Sequence, residues 1–254
     1  MFRKFELYNG SLQELLPEKQ LITTLNAHSF NTVKKDPIFY QALQGSNILL
    51  PDGISVVMGA RWVQGKKIKK IAGDDLFRYE MQRIQSKGGT CFFLGSTDST
   101  LALIKERALK EYPGIQVHTF SPPYRTEFSE EESLDMIKLI NNVNPDVLFV
   151  GMTAPKQEKW AFEHFELINA VHVCCIGAVF DFYAGTVKRA PVWMISSGLE
   201  WFYRLVKEPK RMWKRYLIGN TLFVAEMLRE KFYHVSQSPH VNVLPPETFK
   251  VERN

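Results

Sequence analysis

Thr90-Cys91-Phe92-Phe93-Leu94-Gly95-Ser96-Thr97 is the stretch on which the fold turns. Its apolar residues fill odd and even positions alike, so a strand here has no solvent face and must be covered on both sides. A glycine and two hydroxyl residues end it. Residues 101–111 follow with the amphipathic pattern and length of a helix, and residues 115–120 with a second strand-like run. A covered strand, a helix and another strand form the unit from which parallel sheets are built.

The same alternation extends outward in both directions. Residues 21–24, 47–50, 146–150 and 171–176 read as further strands, and residues 130–142 as a helix. Ser129 with Glu132 three positions on is a capping-box signature for that helix. The expected class is therefore α/β: a Rossmann-like, mostly parallel sheet with helices on both faces. Residues 1–195 are read as the catalytic body, 196–235 as a helical, basic and aromatic appendage, and 236–254 as a polar, proline-bearing tail. With 45% hydrophobic and 13% aromatic residues the chain supports a full core and is not a disordered one. It has no apolar run of the roughly 18–20 residues needed to span a bilayer, and no secretory h-region at its start. Cys91, Cys174 and Cys175 lie in strand-like runs, and adjacent Cys174 and Cys175 point to opposite faces, so reduced core cysteines are expected.

In such folds ligands bind beyond the carboxyl ends of the strands. Asp52-Gly53, Gly95-Ser96-Thr97, the segment from Gly151 to Trp160, and that from Gly177 to Gly185 all fall there. Four strand-end glycines on one edge favour a phosphate-bearing ligand, because glycine lets backbone N–H groups approach phosphate oxygens. Asp52 is either a base at a strand end or the cap of the next helix. Thr24 either positions a reactant or packs in its strand. Asn26, Gln157 and Asp181 are polar groups at strand ends, suited to sugar hydroxyls or a base edge, or else to capping. No Asp-x-Asp motif and no His/Cys cluster with metal-ligand spacing occurs, so neither a metal nor another cofactor is expected.

The net charge of +5 has a location. Between Trp201 and Leu217, Arg204, Lys207, Lys210, Arg211, Lys214 and Arg215 face the single acid Glu208, so this segment equals the whole excess. Interleaved with Trp201, Phe202, Tyr203, Trp213 and Tyr216, these cations read either as an anionic-membrane contact or as a solvated basic helix whose aromatics pack inward. No nucleic-acid motif accompanies them.

Ordered strings through residues 20–217 resemble the WecG/TagA/CpsF glycosyltransferases, glycosyltransferase family 26. They are Thr24-Leu25-Asn26, Pro51-Asp52-Gly53, Ala72-Gly73-Asp74-Asp75-Leu76, Ala154-Pro155-Lys156-Gln157-Glu158-Lys159-Trp160 and Phe180-Asp181-Phe182-Tyr183-Ala184-Gly185. Lys188-Arg189-Ala190-Pro191, Gly198-Leu199-Glu200-Trp201, Arg204 and Glu208-Pro209-Lys210-Arg211 complete the series. The resemblance implies an inverting, metal-independent transfer from a UDP-sugar (N-acetylmannosamine-type, uronate or glucose) to a polyprenyl-diphosphate-linked saccharide. It further implies work in cell-surface polysaccharide synthesis by a cytoplasmic enzyme, peripheral on the inner face of the membrane and open to homo-oligomerisation. It puts the base at Asp52, with Thr24 beside it, and substrate contacts at Asn26, Gln157, Asp181, Arg189, Arg204 and Arg211. Arg189 is left between a phosphate and Asp181 as partner, and the third diphosphate cation falls on Lys214 or Arg215. Lys70 stands where the family commonly has arginine. Two rival readings are a dinucleotide-dependent oxidoreductase and a non-enzymatic membrane adaptor. The first needs a Gly-x-Gly-x-x-Gly turn that the Gly95 loop lacks; the second leaves Asp52, Gln157 and Asp181 without a shared role.

Overall fold

The structure is a computed structural model that describes residues 1–235; the expected tail, 236–254, lies outside the described residues. Its sheet has strands β1 (Gln20–Leu25), β2 (Ile48–Pro51), β3 (Thr90–Gly95), β4 (Gln116–Phe120), β5 (Val147–Gly151) and β6 (His172–Cys175). They lie in the order β2-β1-β6-β5-β3-β4. Every pairing is parallel, so all six strands end on one edge.

The helices are α1 (Ala27–Val33), α2 (Pro37–Gln44), α3 (Ile54–Gly59), α4 (Gly73–Gln85), α5 (Asp98–Glu111), α6 (Glu130–Val143), α7 (Lys156–His164) and α8 (Val179–Ala184). The chain then continues through α9 (Val192–Ser196), α10 (Glu200–Lys207), α11 (Pro209–Trp213) and α12 (Gly219–Val235), with π-helical turns at Ala60–Gln64 and Lys214–Ile218. Each element has a local cause. Ser129 Oγ accepts from Glu132 N–H while the Glu132 carboxylate accepts from Ser129 N–H, which is the capping box read from sequence. Asp36 caps α2, which begins with Pro37 at its first position.

Both sheet faces are covered, as the unalternated strands require. Phe93 and Cys174 join Leu76, Phe77, Leu101, Ile104 and Phe180 of α4, α5 and α8. Their chain neighbours Phe92 and Cys175 join Met136, Ile140 and Trp160 of α6 and α7 on the other face. The adjacent cysteines therefore point apart, and all three cysteines are free and buried. A third cluster, at the β2 side, gathers Phe2, Phe30, Phe39, Leu25 and Val56 with Phe223 and Met227 of α12. At the amino edge His172, 1% exposed, bridges the Glu80 carboxylate (2.8 Å) and the Leu16 carbonyl (2.9 Å). Glu80 also pairs with Arg83 at 2.7 Å, so this buried polar group is fully engaged. Among the described residues no helix is long and apolar enough to cross a membrane.

The glycines at the carboxyl edge do different work from that expected. A Cβ on Gly95 would stand 2.6 Å from the Gly151 carbonyl oxygen, and one on Gly151 would strike the Phe180 ring. These two residues let β3, β5 and α8 approach, and offer no space to a ligand. A Cβ on Gly53, at φ 104°, would instead meet only Ser55 Oγ, at 3.9 Å. Gly95→Ala combines a left-handed φ of 125° with a backbone clash and is expected to lower stability by roughly 2–4 kcal/mol. Urea unfolding measures it, and an unchanged midpoint would show that the strands need not approach so closely.

Candidate active site

The β1–β2 ladder continues one rung past the strands: Asp52 N–H donates to the Leu25 carbonyl at 2.9 Å. Gly53 then turns the chain into α3 and itself occupies the cap position, with no side-chain bond. Asp52 is thus not a helix cap; it lines a cleft of 210 Å³. Asn26, the residue after β1, caps α1 by accepting from His28 N–H and Ser29 N–H, both at 3.0 Å. The same residue lines the cleft with Asp52 and favours the ionised form of its carboxyl. It therefore caps the helix and lines the cleft together.

The cleft walls come from two distant segments. His28, Ile54, Ser55 and Lys70 belong to the body; Glu200, Trp201, Arg204, Arg215 and Tyr216 come from α10 and the π-helical turn. Such wide turns interrupt helical register and often sit at functional sites. Of the two candidates for the third cation, Arg215 lines the cleft, whereas Lys214 is exposed beside Trp213.

Asp52 is half-buried, and this desolvation, reinforced by Glu200, pushes its carboxyl pKa up to about 6. Lys70, Arg215 and the Asn26 side chain pull the other way. His28 is pushed down to about 4, by burial first and Arg215 second, and so is neutral at pH 7. Burial also lowers the Arg215 pKa, with repulsion from Arg204 and Arg211 adding to it and Tyr216 and Asp52 opposing.

A second, narrower hollow opens beside the first. Asp181 on α8 lines it with Arg204, Glu208 and Arg211, and Arg204 lines both spaces. Burial raises the Asp181 pKa, against the pull of Arg211 and Arg204. Arg211 Nη1 donates to Glu208 at 2.6 Å, and the Arg204 guanidinium stacks over Phe182 at 5.4 Å.

Gln157, in the first turn of α7, is buried below Gly177 rather than in the Asp52 cleft. Its Nε2 donates to Glu158 Oε1 at 2.8 Å, leaving Oε1 of Gln157 and Oε2 of Glu158 without a protein partner. Burial pushes the Glu158 carboxyl up to about 7. Arg189 does not pair with Asp181; it pairs with Asp74 and lies 3.7 Å from Glu200. Thr24 is set back from the cleft, half-buried on β1 opposite Leu50, because strand alternation turns it to the same side as Ile22.

The structure thus brings Asn26, Asp52, Arg204 and Arg215 together, places Asp181 and Arg211 in the adjoining hollow, and holds Gln157, Arg189 and Thr24 apart from the cleft. Sequence reasoning missed His28, Tyr216 and Asn220 as lining residues, and no local pattern marked them. Glu200 and Trp201 lay in a quoted string without an assigned role. Chemically, the cleft offers a poised carboxylate base beside donor-rich guanidinium groups whose Nε atoms, on Arg204 and Arg215, have no protein acceptor.

Comparison with known proteins accords with this arrangement. Residues 6–237 match the model of the glycosyl transferase WecG/TagA/CpsF family. An N-acetylglucosaminyldiphosphoundecaprenol N-acetyl-beta-D-mannosaminyltransferase of Bacillus subtilis (strain 168) is 33% identical over 224 residues, 87% of this chain and 85% of that protein. Proteins of the same name from Bacillus spizizenii and Staphylococcus aureus (strain MW2) are 31% and 25% identical, over 86% and 75% of this chain and 82% and 73% of their own lengths. With the family pattern running through the body, the cleft and the appendage alike, the chain belongs to the WecG/TagA/CpsF family and is a glycosyltransferase.

Proposed function

We propose that this enzyme moves an N-acetylmannosamine-type sugar from a UDP donor to a saccharide carried on a polyprenyl diphosphate, with inversion and without a metal. The observation that carries the reading is Asp52: a base with pKa about 6, in a cleft whose opposite lip supplies Arg204 and Arg215. The names of the relatives support the sugar and the lipid-linked acceptor. In the reaction, the acceptor hydroxyl gives its proton to Asp52 as its oxygen attacks the anomeric carbon. The bond from that carbon to the donor phosphate oxygen breaks, and the electron pair leaves with UDP. Arg204, Arg211 and Arg215 stabilise the diphosphate charge that develops, by the forked hydrogen bonds that guanidinium groups make to phosphate. A lipid-borne acceptor also places the enzyme at the inner face of a membrane, held by the exposed Lys207, Lys210 and Lys214.

Catalysis through Asp52 needs its ionised form, so kcat/KM should fall about tenfold per pH unit below pH about 6. Asp52→Asn should cost ~10²–10⁴-fold in turnover at pH 7.5; a variant keeping more than about a tenth would remove Asp52 from the role of base. Stability should move the other way. The native carboxyl holds its proton up to about pH 6 against 3.8 when free, so its contribution is present at low pH and lost as pH rises through that window. Asp52→Asn should therefore raise the melting temperature above pH 6, by a gain on the order of 1–3 kcal/mol, and much less at pH 4.

Transfer should survive exhaustive EDTA treatment, because guanidinium groups take the place of an Asp-x-Asp-bound cation. Activity lost to EDTA and restored by Mg²⁺ or Mn²⁺ would contradict this.

The appendage should divide its labour. Arg204→Ala and Arg215→Ala should each reduce turnover with a lipid-free acceptor by ~10²–10³-fold, as loss of a transition-state donor does. Joint replacement of Lys207, Lys210 and Lys214 by Gln should leave that turnover near wild type and weaken binding to phosphatidylglycerol vesicles, at ~1 kcal/mol per charge. Parallel loss of both properties in both sets would mean that the segment acts only as one folded unit.

A further inference from the structure

The C-terminal segment is not the only basic block. From Ile54 to Ala72 there is no Asp or Glu, while Arg61, Lys66, Lys67, Lys69 and Lys70 supply five cations, so the rest of the chain is balanced only in sum. The structure puts this block on the other lip of the cleft, with Lys70 turned into it and Lys66, Lys67 and Lys69 exposed.

The helix leading to that block has two unlike faces. Val56, Gly59, Ala60 and Val63 face inward, where Gly59 meets Met227, Phe2 and Phe223. Ile54, Met58 and Trp62, spaced by four residues, form an outward stripe and are 49%, 42% and 39% exposed. Single exposed apolar residues need no explanation, but a stripe ending in tryptophan and flanked by unopposed lysines does. Ile54 lies against Gly198 of the appendage, which carries Phe202 and Val206 outward beyond it at 48% and 62% exposure. Exposed apolar side chains and cations thus stand on both sides of the cleft mouth.

We propose that the outer face of α3 with the turn that follows, Met58, Trp62, Lys66, Lys67 and Lys69, is a second membrane-contacting surface, built into the α/β body and specific for anionic lipid headgroups. Charge complementarity selects the occupant: lysines without acids suit an anionic leaflet, and Trp62 and Met58 suit its interfacial layer. With the appendage on the opposite lip, the two contacts press the cleft mouth against the bilayer. A lipid-borne diphosphate then reaches Asp52 without leaving the membrane. This purpose rests on the lipid-linked acceptor proposed above, but the contact itself is tested without any transfer reaction.

The native cysteines are all buried, so Met58→Cys offers the full-length protein one accessible thiol for an environment-sensitive fluorophore. Vesicles of phosphatidylcholine with 30 mol% phosphatidylglycerol, on the order of 100 nm across, should shift its emission to the blue. Pure phosphatidylcholine should not. Leu139→Cys on α6, also exposed, serves as the labelled control and should not respond. Adding Lys66→Gln, Lys67→Gln and Lys69→Gln should raise the lipid concentration at half-shift on the order of 10²-fold, with turnover on a lipid-free acceptor unchanged as proof of folding. Co-sedimentation with vesicles while the position-58 label stays unshifted would overturn the proposal and leave the appendage as the contact. A blue shift that grows with protein concentration in the absence of lipid would also overturn it, assigning the stripe to a second copy of the chain. Loss of transfer activity with intact vesicle binding would instead tell against the proposed reaction and leave this surface standing.

Discussion

The hydrogen bond from Asp52 N–H to the Leu25 carbonyl, 2.9 Å long, is where the sheet hands over to the site. It belongs to the parallel ladder, so its position is fixed by the pairing of β1 with β2 and through β6 by the whole sheet. An all-parallel ladder returns each crossover to the same start and releases every strand at the same edge. Asn26 and Asp52 leave that edge side by side, one after β1 and one after β2. The first turn of α1 then holds Asn26, and the Leu25 carbonyl holds the Asp52 backbone beside it. The carboxylate is positioned by rigid elements, and only the opposite wall of the cleft is left to a later part of the chain.

That wall depends on a docking event. Phe223 and Met227 of α12 bury against Phe2 and Phe30, and each such side chain contributes about 1.5–3 kcal/mol. Lys34 pairs with Glu226 at 2.9 Å, and Asn31 donates to the Gly219 carbonyl at 2.7 Å. Against this, the docked segment carries Arg204 and Arg215 with Nε atoms that no protein group accepts, at a cost of roughly 1–3 kcal/mol for each buried orphan. The opposing magnitudes are similar. An anion that accepts from those donors therefore adds its binding energy directly to the closed arrangement, and the same groups that make the segment costly to dock make it receptive to phosphate.

Much of this was legible in the sequence, for reasons that particular residues show. All six strands were readable because a covered parallel strand must be apolar on both faces; Phe92 and Phe93, or Cys174 and Cys175, admit little else. The Ser129–Glu132 box was readable because it is local. The strand-end glycines misled, since a glycine that admits a phosphate and one that admits a neighbouring strand look alike in sequence, and only contacts separate Gly53 from Gly95. Thr24 does not line the cleft, because one residue of strand register reverses a side chain's direction. Arg189 found Asp74 and Glu200, partners distant in sequence from it and from Asp181. The π-helical turn that presents Arg215 instead of Lys214 leaves no local pattern. The Lys66–Lys70 block was overlooked because summing charge over the rest of the chain hid a patch behind acids that lie elsewhere.

The two hollows, joined by Arg204, suit the proposed inversion. Attack and departure in such a displacement occur on opposite sides of one carbon, so base and anion site must be close but not coincident. Asp52 and Asn26 line the cleft; Asp181, Arg211 and Glu208 line the hollow beside it. Were Asp52 paired directly with a guanidinium, its pKa would fall below the ordinary carboxylate range, and the base would be too weak to take a hydroxyl proton. Burial, with Glu200 beside it, instead outweighs the pull of Lys70 and Arg215 and leaves the carboxyl near 6. Glu200 thereby works from the appendage on a residue of the body: it strengthens the base only when the segment that brings the arginines is in place. In the proposed reaction the same stretch of chain, from α10 to the π-helical turn, supplies both the phosphate donors and the carboxylate that raises the basicity of Asp52.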